Sequence, residues 1–250
     1  MTHAASPRHP VALARLSGLA YLAIILCGIF AQIIVRGNLI DWQDANGTGA
    51  AILEQNTLFR LGILADFVVF ALDILLAVTF YRLLAHADRG IALFALSARL
   101  VMSAVMMTAL LAETAPLFLL GDTPIAGQLS PAVANAASLA FLALHNEGYI
   151  LGLMLFGLHC AALGILLARS EVFPTFLGVL MGLSGISYLA LGVVHFGLPA
   201  LSGIGGLLLL PAALPEFVFA GWLIAVGLDR RRWTASVSAP DAPESNRPAP

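Results

Sequence analysis

The sequence predicts an all-α, polytopic membrane helix bundle of about six transmembrane helices plus an external interfacial helix. Three observations carry that expectation. The 250-residue chain is 60% hydrophobic and only 10% charged, where a soluble domain carries about 25% charged residues, and its mean hydropathy is +0.95. Apolar runs of roughly 20 residues recur along it, the length that crosses a hydrocarbon core of about 30 Å. Within lipid a backbone must satisfy its own hydrogen bonds, which makes each such run a helix.

In chain order, residues 1–11 read as a short cytoplasmic N-terminus. The first run, Ala12 to Val35, is too long for the core of a signal peptide and lacks a small-x-small cleavage site after it, so it is expected to remain as a span. The later runs are Leu58–Leu84, Ile91–Ala112, Gly148–Ala168, Val172–Phe196 and Gly203–Leu228, so the transmembrane domain covers 12–228. Between the third and fourth runs, Ser130 is suited to cap a helix and Pro131 to occupy its first position. This places the external helix over 129–147, lying on or dipping into the membrane. Residues 229–250, rich in Pro, Ala and Ser toward the end, predict a disordered cytoplasmic tail.

Six spans place both termini on one side, and arginine decides which, because the chain contains no lysine. Arg8, Arg15, Arg82, Arg89, Arg169 and Arg230, Arg231, Arg232 fall at one set of ends, and only Arg36 and Arg60 flank the other. The positive-inside rule therefore predicts a multi-pass protein of the plasma (inner) membrane with both termini cytoplasmic. Tyr81 and Trp233 on one side and Trp42 and Tyr149 on the other suit the interfacial aromatic belts. The net charge of −2 and the absence of a basic patch interleaved with aromatics exclude nucleic acid as a partner. The lipid bilayer is the partner that composition establishes. Cys27 and Cys160 lie deep in apolar runs and read as packing residues.

Ionisable groups inside spans carry what chemical information there is, since they are costly there and face the bundle interior. Asp66 and Asp73 are seven residues apart and share a helix face. Asp73 and Arg99 fall at the same depth when counted from the hairpin between spans two and three, which predicts an interhelical ion pair. In span six, Pro211 and Pro215 kink the helix beside Glu216, at a depth His159 of span four can reach. Asp73, Arg99, His159 and Glu216 are thus expected to form a buried polar network. Nearer the outer surface, Asp66, His145, Tyr188 and His195 are the candidate ligand-binding residues. Asp66, His145 and His195 are also the alternative metal ligands, two imidazoles and a carboxylate being suited to zinc, although no compact ligand motif such as His-Glu-x-x-His is present. Gly178-x-x-x-Gly182 and Gly157-x-x-x-Ala161 are small-residue stripes suited to close helix contact.

The segments Ala-Arg-Leu-Ser-Gly-Leu-Ala-Tyr-Leu from Ala14, Leu-Phe-Arg-Leu-Gly-Ile-Leu-Ala-Asp ending at Asp66 and followed by Asp73, Gly-Tyr-Ile-Leu-Gly-Leu-Met-Leu-Phe-Gly-Leu-His ending at His159, and Leu-Pro-Glu ending at Glu216 resemble the bacterial family known as domain of unknown function 4386. The resemblance runs from about Ala14 to Leu228. It implies a multi-pass bacterial membrane protein and no particular activity, substrate or catalytic residue. A more distant likeness is to seven-helix metal-dependent membrane hydrolases such as the alkaline ceramidases, from which this chain departs in span number and in lacking their paired-histidine spacing. The leading functional expectation is a non-enzymatic membrane protein that holds a small amphipathic or lipid-like ligand in an outward-facing cavity, with no resident cofactor. The alternatives are a metal-dependent intramembrane hydrolase and a proton-coupled carrier working through Glu216 and His159, the latter without the inverted repeat frequent in carriers.

Overall fold

A computed structural model describes residues 9–238. Six of its helices are long and apolar enough to cross a membrane: α1 (Pro10–Leu39), α3 (Asn56–Leu84), α4 (Arg89–Leu119), α5 (Pro131–Arg169), α6 (Thr175–Gly197) and α7 (Gly205–Ala225). Two shorter helices complete it, α2 (Ala45–Glu54) between the first two spans and α8 (Arg230–Ser238) after the last. No strand occurs among the described residues. The protein is a multi-pass membrane helix bundle.

The spans close into a ring. Each packs against the next in the order α1, α3, α4, α5, α6, α7, and α7 returns to α1. The apolar residues divide accordingly. Tyr21, Phe70, Leu76, Leu163, Met181, Phe219 and Leu223 are buried inside, while Leu19, Ile33, Phe67, Val101, Ile165, Val179, Ile186 and Leu210 are exposed on the outer faces, as lipid-facing residues are. The contact between α5 and α6 is made backbone to backbone. A Cβ added to Gly164 would lie 2.7 Å from Gly178 O, and one added to Gly185 would lie 2.6 Å from Ala161 N. Gly178 thus packs on Gly164 and Ala168 rather than on the Gly157 stripe, which meets Gly185 and Leu189.

The two ends of the ring differ. At one, the terminal end, a left-handed Gly227 (φ 75°) turns the chain after α7 and sits against Val11 of α1. Arg169 there meets Asp88 in the α3–α4 turn at 2.9 Å. The opposite end, the loop end, carries α2. Asp44 caps that helix by accepting from the backbone N–H groups of Asn46 and Gly47, and Asn135 of α5 donates to Asn46 at 2.9 Å.

The helix expected before the fourth span begins at Pro131 with Ser130 as its cap, and it continues without a break into the span, forming one 39-residue rod. Ser138, Leu142 and His145 on this extension are buried, because α2 packs over it. Of the segment expected to be a disordered tail, Arg230–Ser238 is helical, with Trp233 buried against the core. The rest, 239–250, lies outside the described residues, as do residues 1–8 of the expected N-terminal segment.

Candidate functional site

Three groups of polar side chains fill the ring, and each is delivered by a local feature of its helix. At the loop end, the last turns of α1 widen into a π-helix over Phe30–Arg36, a distortion that redirects a side chain at the cost of regular hydrogen bonding. It turns Arg36 inward. Arg36 Nη1 donates to Asp66 Oδ2 at 2.6 Å and to Glu113 Oε1 and Oε2 at 2.7 and 2.8 Å, while its Nε donates to Gln32 at 3.1 Å. His145 of α5 completes the group. Its Nδ1 faces the carbonyl of Ala109 at 3.2 Å and its Nε2 lies 3.3 Å from Glu113 Oε2. All four side chains are buried, and one ligand atom from each of Asp66, Glu113 and His145 lies within 4.8 Å of the other two.

Deeper in the ring, Arg99 is fully buried and donates through Nε to Asp73 Oδ1 at 2.9 Å, with Nη2 also bonded to that oxygen. Its Nη1 meets His159 Nε2 at 3.0 Å. Because His159 Nδ1 faces the carbonyl of Ala95 at 2.8 Å, the proton belongs on Nδ1 and Nε2 accepts from Arg99. The guanidinium also lies 5.1 to 5.8 Å from the ring centroids of Phe156, Tyr21 and Phe80, within the range of cation–π attraction. Each guanidinium nitrogen of Arg99 and both ring nitrogens of His159 have a partner, and the bonds to Asp73 fall on Oδ1.

The third group centres on Glu216, in the stretch of α7 that contains Pro211 and Pro215. Tyr21 donates to one carboxyl oxygen at 2.9 Å and Tyr188 to the other at 2.5 Å. Ser184 donates to the carbonyl of Ala212 at 2.7 Å. No basic side chain hydrogen-bonds Glu216 among the described residues. Beside it lies a cavity of about 180 Å³ that Asp73, Tyr149, Tyr188 and Glu216 line together with Phe70 and Phe156. Ile29 of α1 and Phe217 of α7, both exposed on the outer face of the bundle, stand at its edge.

The candidate residues therefore separate into distinct places. Asp66 and His145 share the loop-end group with Arg36 and Glu113. Tyr188 and Glu216 meet at the cavity, and Asp73, Arg99 and His159 form the central trio. Glu216 bonds the two tyrosines, and His159 bonds Arg99 and Ala95, so those two candidates do not contact each other through a hydrogen bond. His195 joins neither Asp66 nor His145; its Nε2 lies 2.8 Å from Glu147 Oε2 in a half-exposed pair.

Arg36, Glu113, Tyr21 and Tyr149 are site residues that sequence reasoning did not assign. Arg36 reads as a flanking charge at the outer end of span one, and only the π-turn, invisible to helical periodicity, brings it inside. Tyr149 suits an interfacial belt by position but lines the cavity. In the α3–α4 turn, outside the spans, burial holds the His86 imidazole below its ordinary pKa and so neutral at pH 7.

Comparison with known families finds one family model that matches residues 16–227, the family described as Domain of unknown function (DUF4386). No curated protein and no solved structure matches the chain.

Proposed function

The chain belongs to this family of unknown function, and from that premise we propose that it is a non-enzymatic binding protein of a bacterial inner membrane, with both termini cytoplasmic. It takes a small amphipathic molecule into the cavity that all six spans line beside Glu216, seating a cationic or hydrogen-donating head on Glu216 and Tyr188 and an apolar body against Ile24, Phe70 and Met106. One observation supports this above the others: Glu216 is a buried carboxyl with no basic partner, placed on the wall of an otherwise largely apolar cavity. An isolated charge in a low-dielectric region is costly, so the site favours a ligand that brings a positive charge or a donor to it. The exposed rim at Ile29 and Phe217 opens on the apolar belt, which favours entry from the lipid phase. A cavity of about 150 Å³ accepts benzene, so about 180 Å³ suits a molecule of that order or a short stretch of an acyl chain.

Benzylamine and benzyl alcohol, alike in shape and different in charge, make a direct test. Titration of the detergent-purified protein with benzylamine should raise its melting temperature, because a ligand at 100 times its Kd stabilises by about 2.7 kcal/mol, and benzyl alcohol should do less. Glu216→Gln should remove the difference between the two. Gly28 lines the cavity and an added Cβ there meets no atom within 4 Å, so Gly28→Leu should fill the space and abolish both responses while leaving the bundle folded. Equal responses to amine and alcohol, or an amine response that survives in Glu216→Gln and Gly28→Leu, would overturn the proposal.

A further inference from the structure

The two histidines of α5 are used in parallel, up to a point. Each directs Nδ1 to a backbone carbonyl of α4, His159 to Ala95 and His145 to Ala109, and in each case the residue four positions further along α4 faces the ring's Nε2. For His159 that residue is Arg99, which donates. For His145 it is Glu113, which cannot. With the His145 proton on Nδ1, a lone pair on Nε2 confronts the oxygen of Glu113 at 3.3 Å, and this nitrogen has no hydrogen-bond partner although the residue is 98% buried, its relative exposure being 2%. An unpartnered acceptor at that depth is rare and needs an explanation, which a cation between the two lone pairs supplies.

Charge leads to the same conclusion. Asp66 and Glu113 carry two negative charges against the one of Arg36, so the group is one positive charge short with His145 neutral. Two carboxylates and an imidazole are borderline-hard ligands of the kind that zinc-class cations accept. With bonds of 2.0–2.2 Å at tetrahedral angles, two ligands of one metal stand about 3.3–3.6 Å apart, against the 4.8 Å within which these three atoms already lie. Closure by roughly an ångström is needed, which side-chain rotation supplies.

We propose that Asp66, Glu113 and His145 form a binding site for a divalent transition-metal cation of the zinc class at the loop end of the bundle. Arg36 serves as a tethered counter-ion that holds the two carboxylates together. Beside a divalent ion it leaves one net positive charge, which an anionic fourth ligand, hydroxide or a small carboxylate, neutralises. His195 takes no part, because it is engaged with Glu147.

The test uses the full-length protein purified in detergent, stripped with a chelator and titrated with Zn2+ alone. One equivalent should be retained through gel filtration. His145→Ala and Glu113→Gln should each weaken binding by at least about tenfold, and His195→Gln should leave it unchanged. X-ray absorption of the zinc-loaded wild type needs no variant, and should show oxygen and nitrogen neighbours at about 2.0–2.2 Å with an imidazole among them and no sulfur at about 2.3 Å. Absence of stoichiometric zinc would overturn the site and leave a shared proton as the missing cation. Sulfur in the first shell, or loss of binding in His195→Gln, would overturn it in favour of Cys27, Cys160 or the Glu147 pair.

Discussion

Asp73 and Arg99 offer the sharpest test of how the ring is held together. Arg99→Met leaves the Asp73 carboxylate without its guanidinium, and Asp73→Leu leaves a fully buried guanidinium with only His159 and three aromatic faces. Each stranded charge should cost about 3–5 kcal/mol. In a chain of this size a loss of 1 kcal/mol lowers Tm by roughly 2–4 °C, so each single variant should melt roughly 6–20 °C below wild type. The double variant strands no charge. What remains is the His159 Nε2 acceptor left without its donor, at about 1–3 kcal/mol, so it should melt above at least one single variant and far above the sum of the two. The assay is thermal unfolding in detergent, followed by intrinsic fluorescence on all four members of the cycle. Losses that add to within about 0.5 kcal/mol would show that the two residues do not interact, and the account of the central trio would fail.

The remaining expectations concern topology and packing. Reporter fusions after Arg89 and Arg169 should read cytoplasmic, and fusions at Asn46 and Asp122 external; a cytoplasmic signal at Asn46 would reverse the orientation that the arginine distribution implies. Gly164→Ala places a methyl group 2.7 Å from Gly178 O and Gly182 N, so it should force α5 and α6 apart and cost about 1–3 kcal/mol. Gly221→Ala on α7 meets nothing and should be neutral or slightly stabilising through helix propensity. Equal melting temperatures for these two variants would refute the close α5–α6 contact.

The spans were legible in the sequence because hydropathy and length alone determine them, and the family match over residues 16–227 agrees with that reading. The Asp73–Arg99 contact was legible for a different reason. Helices joined by a short hairpin keep a common count of depth, so two residues equally far from the turn must meet if both face inward. That logic weakens with distance along the chain. Glu216 and His159 are comparably deep, yet they sit on α7 and α5, which are not neighbours in the ring; α6 stands between them and supplies Tyr188 to Glu216. Depth was readable and the order of the ring was not. The loop-end group depends on still subtler features. Arg36 enters through a π-turn and His145 through a helix that continues unbroken into the fourth span where an external interfacial helix was expected. Neither feature leaves a mark in periodicity.

The three polar groups of the ring differ in how completely they are paired. If polar residues were present only to join helices, each group would be closed, with donors matched to acceptors and charge to charge, because an open group in lipid is destabilising. The central trio meets that standard: one carboxylate, one guanidinium and one imidazole with both nitrogens satisfied. The groups on either side of it do not. Glu216 has two phenol donors and no basic partner, beside a cavity that no side chain fills. His145 has an acceptor turned toward another acceptor. Glu216 has no basic hydrogen-bond partner and the loop-end group has one arginine for two carboxylates; the cavity beside Glu216 reaches Ile29 and Phe217 on the outer face, while the loop-end group is buried. Under the binding and metal proposals each of the two incompletely paired groups takes one further cation, and the amine and the metal are the probes that test this.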